Sequence, residues 1–420
     1  MNESSAPLIT NEAVVLGILL VILAIVFQTS ASTNRYWLRF YKVVPSVLLC
    51  YFLPALLNTF NIISGETSQL YFVASRFFLP ASLILLTLSI DFKSLRMLGS
   101  KAVIMFFAGT VGVMLGGPLA LFLVGSVFPD VLYTGTDEVW KGLSTISGSW
   151  IGGGANQAAM LEVFGASKEA FGQMIAVDVL VANVWMGFLL YWSQKPEKID
   201  KLLGADSRPI RELEERLEGL QAGKRMIPTA TSTMIVLGVA FGFTGFSHFF
   251  ADIIAPYFAE NYPALDAYSI TSGFFWLVII ATTAGLALSF TKARELESYG
   301  ASRFGTVFLY FLVATIGMSM DLAAVLDNPK LFLVGAFWIM FHILIMLVVA
   351  RIIRAPFFYV AVGSQANIGG AASAPIVAVA FNKYLAPVGV LLAVLGYAVG
   401  TYGAYLCGLM LQAVWNMLAG

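Results

Sequence analysis

Residues Ser147–Leu161 read S-G-S-W-I-G-G-G-A-N-Q-A-A-M-L and lie between long apolar runs. A partner stretch, Ser364–Ala378, reads S-Q-A-N-I-G-G-A-A-S-A-P-I-V-A and aligns without a gap, Ser147 on Ser364, Gly152 on Gly369 and Gly153 on Gly370. Consecutive glycines beside Asn, Gln and Ser make a poor membrane helix, because backbone groups freed by a break find no water in hydrocarbon. Such breaks are tolerated where they line a polar cavity, and a pair in corresponding halves points to the binding site of a secondary transporter.

Composition agrees with a chain that lives in a membrane. It is 59% hydrophobic and 11% charged, against about 45–50% and about 25% for soluble domains, and its mean hydropathy is +0.84. The net charge of zero gives no ground for a nucleic-acid partner. Cys50 and Cys407 fall inside apolar runs and His248 and His342 are far apart, so neither a disulfide framework nor a metal centre is expected. No Lys or Arg precedes the first apolar run, which reads Asn11–Phe27 as a retained span rather than a signal peptide.

Apolar runs long enough to cross about 30 Å of hydrocarbon fall near 11–28, 43–60, 70–90, 102–128, 170–193, 230–255, 269–290, 304–320, 331–353 and 385–414. Two more, near 140–167 and 356–381, carry the glycine breaks. The connector 28–42 mixes Arg35, Arg39 and Lys42 with Tyr36, Trp37, Phe40 and Tyr41, the chemistry of a cytoplasmic membrane interface. Asp91–Lys101, Thr291–Arg303 and Arg351–Arg354 are basic and belong inside; Asn61–Gln69, Phe128–Trp140, Phe258–Ala267 and Asp321–Lys330 belong outside. Between the halves runs a charged linker, 194–228, in which Ser207, Pro209, Leu213, Leu217, Leu220 and Gly223 predict a short amphipathic helix.

The third span ends L-S-I-D, and M-S-M-D recurs in the second half, with Asp321 following Asp91 by 230 residues; Gly369 follows Gly152 by 217. The chain therefore reads as a first repeat over 1–193 and a second over 229–420. If the glycine segments crossed fully, the linker with its eight Lys and Arg would lie outside. If each dips in and returns, every basic connector is inside, and five spans per half make the repeats antiparallel. The fold expected is an all-α polytopic membrane protein of two inverted-topology repeats, each with about five spans and one discontinuous element. A broken crossing helix is the alternative to a re-entrant hairpin.

Candidate substrate-binding residues follow from the breaks: Ser149, Gly153, Gly154, Asn156 and Gln157 at the first, and Gln365, Asn367, Gly369, Gly370 and Ser373 at the second. Half-helix N-termini there would present free N–H groups to a carboxylate or phosphate, and half-helix C-termini and unwound carbonyls would suit Na⁺. The competing reading is that small residues merely let helices pack closely. Asp178, deep in M-I-A-V-D-V-L-V-A-N, is the other strong signal, with Asn183 a turn and a half beyond. An intramembrane carboxylate costs about 2.5–3.5 kcal/mol at mid-helix on insertion scales and so faces a partner, a cavity or an ion. The 217-residue offset puts Leu395 opposite it, so the charge is not a demand of the shared scaffold. Arg76 reads either as a partner for an anionic solute or as a snorkelling side chain, and Trp150 as a stacking platform or as packing.

These motifs resemble the domain-of-unknown-function 819 family of membrane proteins, with Gly152–Gln157 as the most specific mark. The family is similar in turn to the cation:proton antiporter and anion transporter group, which includes bile-acid-type sodium symporters. The resemblance implies a core of two discontinuous elements moving against a scaffold, elevator fashion, in a homodimer of the bacterial inner membrane, with Asp178 placed like the antiporters' ion-binding carboxylate. One acid stands there rather than an adjacent pair. The function expected is a secondary active transporter of a small organic, anionic solute coupled to Na⁺ or H⁺, with no cofactor beyond that ion; the alternative is a monovalent cation/H⁺ antiporter. No His-Glu-x-x-His, paired intramembrane aspartates or Ser–His pair argues for an enzyme.

Overall fold

The structure, a computed structural model, describes residues 7–41, 44–65, 67–135, 137–205, 210, 226–320 and 328–420. The amphipathic helix expected over Ser207–Gly223 and the carboxylate of Asp321 lie outside the described residues. The rest is nearly all helix: α1 Glu12–Ser30, α2 Ser46–Thr59, α3 Leu70–Leu88, α4 Ser100–Val127, the broken pair α5 Val139–Gly152 and α6 Gly154–Phe164, and α7 Lys168–Ser193. The order then recurs: α8 Ala230–Asn261, α9 Gly273–Ser289, α10 Ala301–Gly317, α11 Leu331–Ile353, the broken pair α12 Phe357–Ile368 and α13 Gly370–Phe381, and α14 Ala386–Ala419.

Seven helices among the described residues are long and apolar enough to span a bilayer, and α9 qualifies when joined to the 94° bent segment Lys292–Tyr299. The predicted spans 43–60 and 304–320 are shorter than expected, at 14 and 17 residues, or about 21 and 26 Å of helix at 1.5 Å per residue. Pro45 opens α2 in extended geometry and Gly300, in the left-handed region, precedes α10, so neither run can extend backwards. Caps set other boundaries: Asn11 accepts the Ala13 and Val14 amides, Ser167 accepts that of Ala170, and Thr229 and Ser232 form a reciprocal box.

Both broken pairs fold back on themselves as helical hairpins. Trp140 at the start of α5 meets Phe164 at the end of α6 with ring centroids 5.4 Å apart. Phe357 and Phe358 at the start of α12 meet Phe381 at the end of α13, 5.8 and 5.4 Å away. A broken crossing helix would hold those ends far apart. The hairpins lie against α14 from opposite ends. Phe164, at the open end of the first, packs on Gly408, and its tip reaches Gly400; Ala374 of the second packs on Gly389. The tips converge at Gly396, where a methyl group would fall 2.8 Å from the Ile151 carbonyl oxygen and 3.7 Å from that of Ala366. Only glycine lets α14 pass between them.

Packing sorts the helices into two bodies. In one, α3 packs on α8, α9 and α10, and α2 packs on α1 and α10. In the other, α4 packs on α11, α12 and α14, and the hairpins and α7 complete it. The strongest contacts between bodies come from α6 and α14 against α3 and α9. Each body takes elements from both sequence halves. Inside the second body Pro118 removes the amide that would bond the Met114 carbonyl, and the Cys407 thiol approaches that oxygen at 3.6 Å.

Candidate functional site

At the first tip the chain passes through Gly153 at φ 74°, a left-handed conformation that side chains rarely adopt. Gly153 and Gly154 are only half-buried, and a methyl group on either would meet Tyr397 of α14 or Leu309 of α10 at 3.7 Å. The tip thus faces the seam between the two bodies.

Asp178 closes this tip from α7. It is 8% exposed; its Oδ1 accepts the Trp150 indole N–H at 2.6 Å and its Oδ2 accepts the Gln157 amide at 3.1 Å. The Ser149 hydroxyl is a third partner. Ser149 and Trp150 belong to α5 and Gln157 to α6, so one carboxylate ties both arms together. None of the ion pairs among the described residues includes it. Two of its three donors, the indole and amide N–H groups, can only give hydrogen bonds, an arrangement suited to a carboxylate carrying its charge. Trp150 is fully buried and also lies edge-on to Trp338 at 5.2 Å.

Asn156 and Asn367 are both fully buried and held alike. Asn156 donates to the carbonyls of Gly152 and Tyr397, each at 3.0 Å, and accepts from the Thr401 hydroxyl at 2.5 Å. Asn367 donates to Gly363 at 3.0 Å and Phe106 at 2.9 Å, and accepts from Thr110 at 2.9 Å. Each side chain thus binds a carbonyl four residues back, for Asn156 across the break to the end of α5 and for Asn367 within α12, together with a carbonyl on a crossing helix and a hydroxyl one turn along that helix. Both amide hydrogens are used, so these asparagines staple the tips. Thr401 also meets Thr282 of α9 at 3.0 Å, carrying the first staple across the seam.

At the second tip Gln365 donates to Ser373 at 2.8 Å, while its buried Oε1 has no hydrogen-bond partner among the described residues. Ser373 is half-buried, and the space beside Gly370 is open. Asn183 takes no part in the ring around Asp178: five residues on, it points to another side of α7 and donates to the Val179 carbonyl at 2.6 Å. Arg76 neither snorkels free nor stands open. It pairs with Glu162 at 3.3 Å, sits 4.5 Å over the Phe274 ring, and shares Glu162 with the Tyr71 hydroxyl.

Several residues of this neighbourhood had no clear signal in sequence. His342 of α11 is fully buried, with Nδ1 3.0 Å from the Gly109 carbonyl and Nε2 2.8 Å from the Ser364 hydroxyl, which also accepts the Trp185 indole N–H at 2.8 Å. A carbonyl only accepts and an indole only donates, so the chain is satisfied by a neutral ring protonated on Nδ1. A lone histidine in an apolar run could have flagged this. The threonines of the staples could not be told from ordinary helix residues.

The helices, hairpins and apolar exterior define an integral, multi-pass membrane protein. The chain belongs to the family described as "Protein of unknown function (DUF819)", which matches residues 17–414. It is similar to an uncharacterized membrane protein, YjcL, of Bacillus subtilis strain 168, with 24% identity over 351 residues covering 80% of this chain and 82% of the relative.

Proposed function

We propose that this protein is a secondary active transporter that moves a small organic anion together with Na⁺ or H⁺ by alternating access. The observation that carries this reading is Asp178, a buried carboxylate at a helix break, ringed by donors and without a cationic partner among the described ion pairs. A charge so placed is costly unless a cation or proton completes it. An anion beside an uncompensated carboxylate is repelled, so the solute binds well only once the ion has bound, and the two become coupled. The body built from α4 to α7 and α11 to α14 would slide as a unit against the other, with the halves as inverted repeats.

The test is thermal unfolding of purified protein in detergent with Na⁺, Li⁺ and K⁺ across a pH series, alone and with organic acids, beside Asp178→Asn. Ligand at a hundred times its Kd stabilises by about 2.7 kcal/mol, enough to read as a shifted midpoint. A cation or pH shift that an organic acid enlarges and Asp178→Asn removes is expected. Cation and pH responses that ignore every organic acid would favour the cation/H⁺ antiporter. A response unaltered by Asp178→Asn would sink the assignment.

A further inference from the structure

Arg76 and Glu162 stand on opposite sides of the seam between the two bodies. Arg76 belongs to α3, and three helices of its body fix it. The turn Ala74–Phe78 of α3 is π-helical, a local bulge of the kind found at functional sites. The Arg76 carbonyl accepts the Nε2–H of His248 on α8 at 2.8 Å, and the guanidinium lies 4.5 Å over the Phe274 ring of α9. Glu162 belongs to α6, the hairpin arm that also carries Gln157 to Asp178. Its Oε2 accepts from Arg76 at 3.3 Å and its Oε1 from the Tyr71 hydroxyl, also of α3. Both oxygens of one hairpin carboxylate are therefore bound to the other body. The Lys168 ammonium, in the first turn of α7, lies 4.2 Å over the Tyr71 ring and adds a second contact across the seam at the same place.

We propose that Arg76, Tyr71 and Glu162 form a latch, which holds the two bodies in the relative position seen here and must open for them to slide. This rests on the sliding motion given above. At the first tip the seam joins neutral groups, Thr282 with Thr401 and Gly154 toward Leu309. Such packing can be exchanged for other neutral packing as the surfaces move. An ion pair cannot be exchanged so, because parting leaves each charge without its partner. The Arg76 and Glu162 side chains are 33% and 15% exposed. That is enough shielding for parting to cost free energy, and enough water for the opened groups to be solvated within a transport cycle. The latch thus sets how often the second position is visited, since a contact made in only one of two states biases the population toward it.

The position of the bodies can be read as a spin-label distance across the seam in the full chain. One label goes on Ala264→Cys, exposed between α8 and α9, and the other on Val127→Cys, 64% exposed at the end of α4. The native Cys50 and Cys407 are buried, and protein without the new cysteines serves as the labelling control. Distances are compared with and without Na⁺ in the otherwise wild-type chain and with Glu162→Gln, Tyr71→Phe or Asp178→Asn added. Glu162→Gln keeps the size and removes the charge, so the ratio of a second distance to the first is expected to rise at least about tenfold, the scale of one lost hydrogen bond to a charged group. Tyr71→Phe should move the ratio the same way and less. A Glu162→Gln protein whose unfolding midpoint falls while its distances match wild type makes the pair merely structural, and the latch is overturned. If Glu162→Gln does not fold, Tyr71→Phe decides, and an unmoved ratio overturns the latch equally. In either case a second distance brought up by Na⁺ or by Asp178→Asn leaves the sliding reading standing. One fixed distance in every variant and condition removes the latch and the sliding together.

Discussion

The two hairpins share a staple and differ in what surrounds it. Asn156 and Asn367 make matching triads of hydrogen bonds, so each tip is held by the same rule. Beside the first stands a charge, Asp178, bonded to both arms. Beside the second stands a neutral chain, Trp185 to Ser364 to His342 to the Gly109 carbonyl, and the unpaired oxygen of Gln365. What is common answers a structural need, since a broken membrane helix must satisfy its freed backbone groups. What differs is free to be chemistry. Under the proposed coupling, the charge would make the first hairpin the ion's side and leave the second tip to the solute.

The largest effect should come from the element that breaks the likeness. Asp178→Asn keeps the shape and part of the hydrogen bonding but removes the charge, so ion-coupled uptake in proteoliposomes should fall to background while the protein still folds. Next come the staples, where the hairpins should behave alike. Asn156→Leu and Asn367→Leu each remove three hydrogen bonds, while Thr110 keeps the Phe106 carbonyl and Thr401 keeps Thr282; at about 0.5–1.5 kcal/mol per bond, each should lose about 2–4 kcal/mol in reversible unfolding. A loss under about 1 kcal/mol in one and not the other would show that the matching geometry hides unequal roles. Smaller again is His342→Gln, which can replace one of the two ring hydrogen bonds and should lose about 1–2 kcal/mol with the Na⁺ response intact. A changed Na⁺ midpoint in that variant would mean the neutral chain speaks to the ion site after all.

How much of this was legible follows from what each feature needs. The breaks were visible because glycines in hydrocarbon have few uses, and the doubled motif located both tips. Asp178 was visible because charge in an apolar run is costly. The choice of re-entrant hairpins came from the distribution of Lys and Arg, and the Trp140–Phe164 and Phe358–Phe381 contacts agree with it. The staples stayed hidden because Thr401 and Thr110 gain meaning only when α14 and α4 cross beside the tips. Arg76 was misjudged for a related reason: its partner Glu162 is 86 residues away on α6. The two bodies were also hidden, since each is assembled from both sequence halves and no local pattern records which helix packs on which.

The smallest effect concerns the connectors between the bodies rather than the tips. Asp91 caps the short helix Phe92–Met97 that leads from α3 to α4, accepting the Lys93 and Ser94 amides at 3.1 Å and the Ser94 hydroxyl at 2.8 Å, and it pairs with Arg294 at 2.9 Å. Burial alone would push its carboxyl up, but the Ser94 hydroxyl and amide, the Arg294 guanidinium and the Lys93 amide outweigh that and hold it below its ordinary value. A carboxyl depressed in the folded state adds stability that is present above the unfolded value of about 3.9 and is lost as pH falls through the folded one. Wild type should therefore lose more stability than Asp91→Asn between about pH 5 and pH 3. At pH 7 the variant, whose Asn remains a good cap, should be weaker by no more than about 1 kcal/mol, because the pair is partly exposed. An acid loss identical in both proteins would show that Arg294 does not hold this connector.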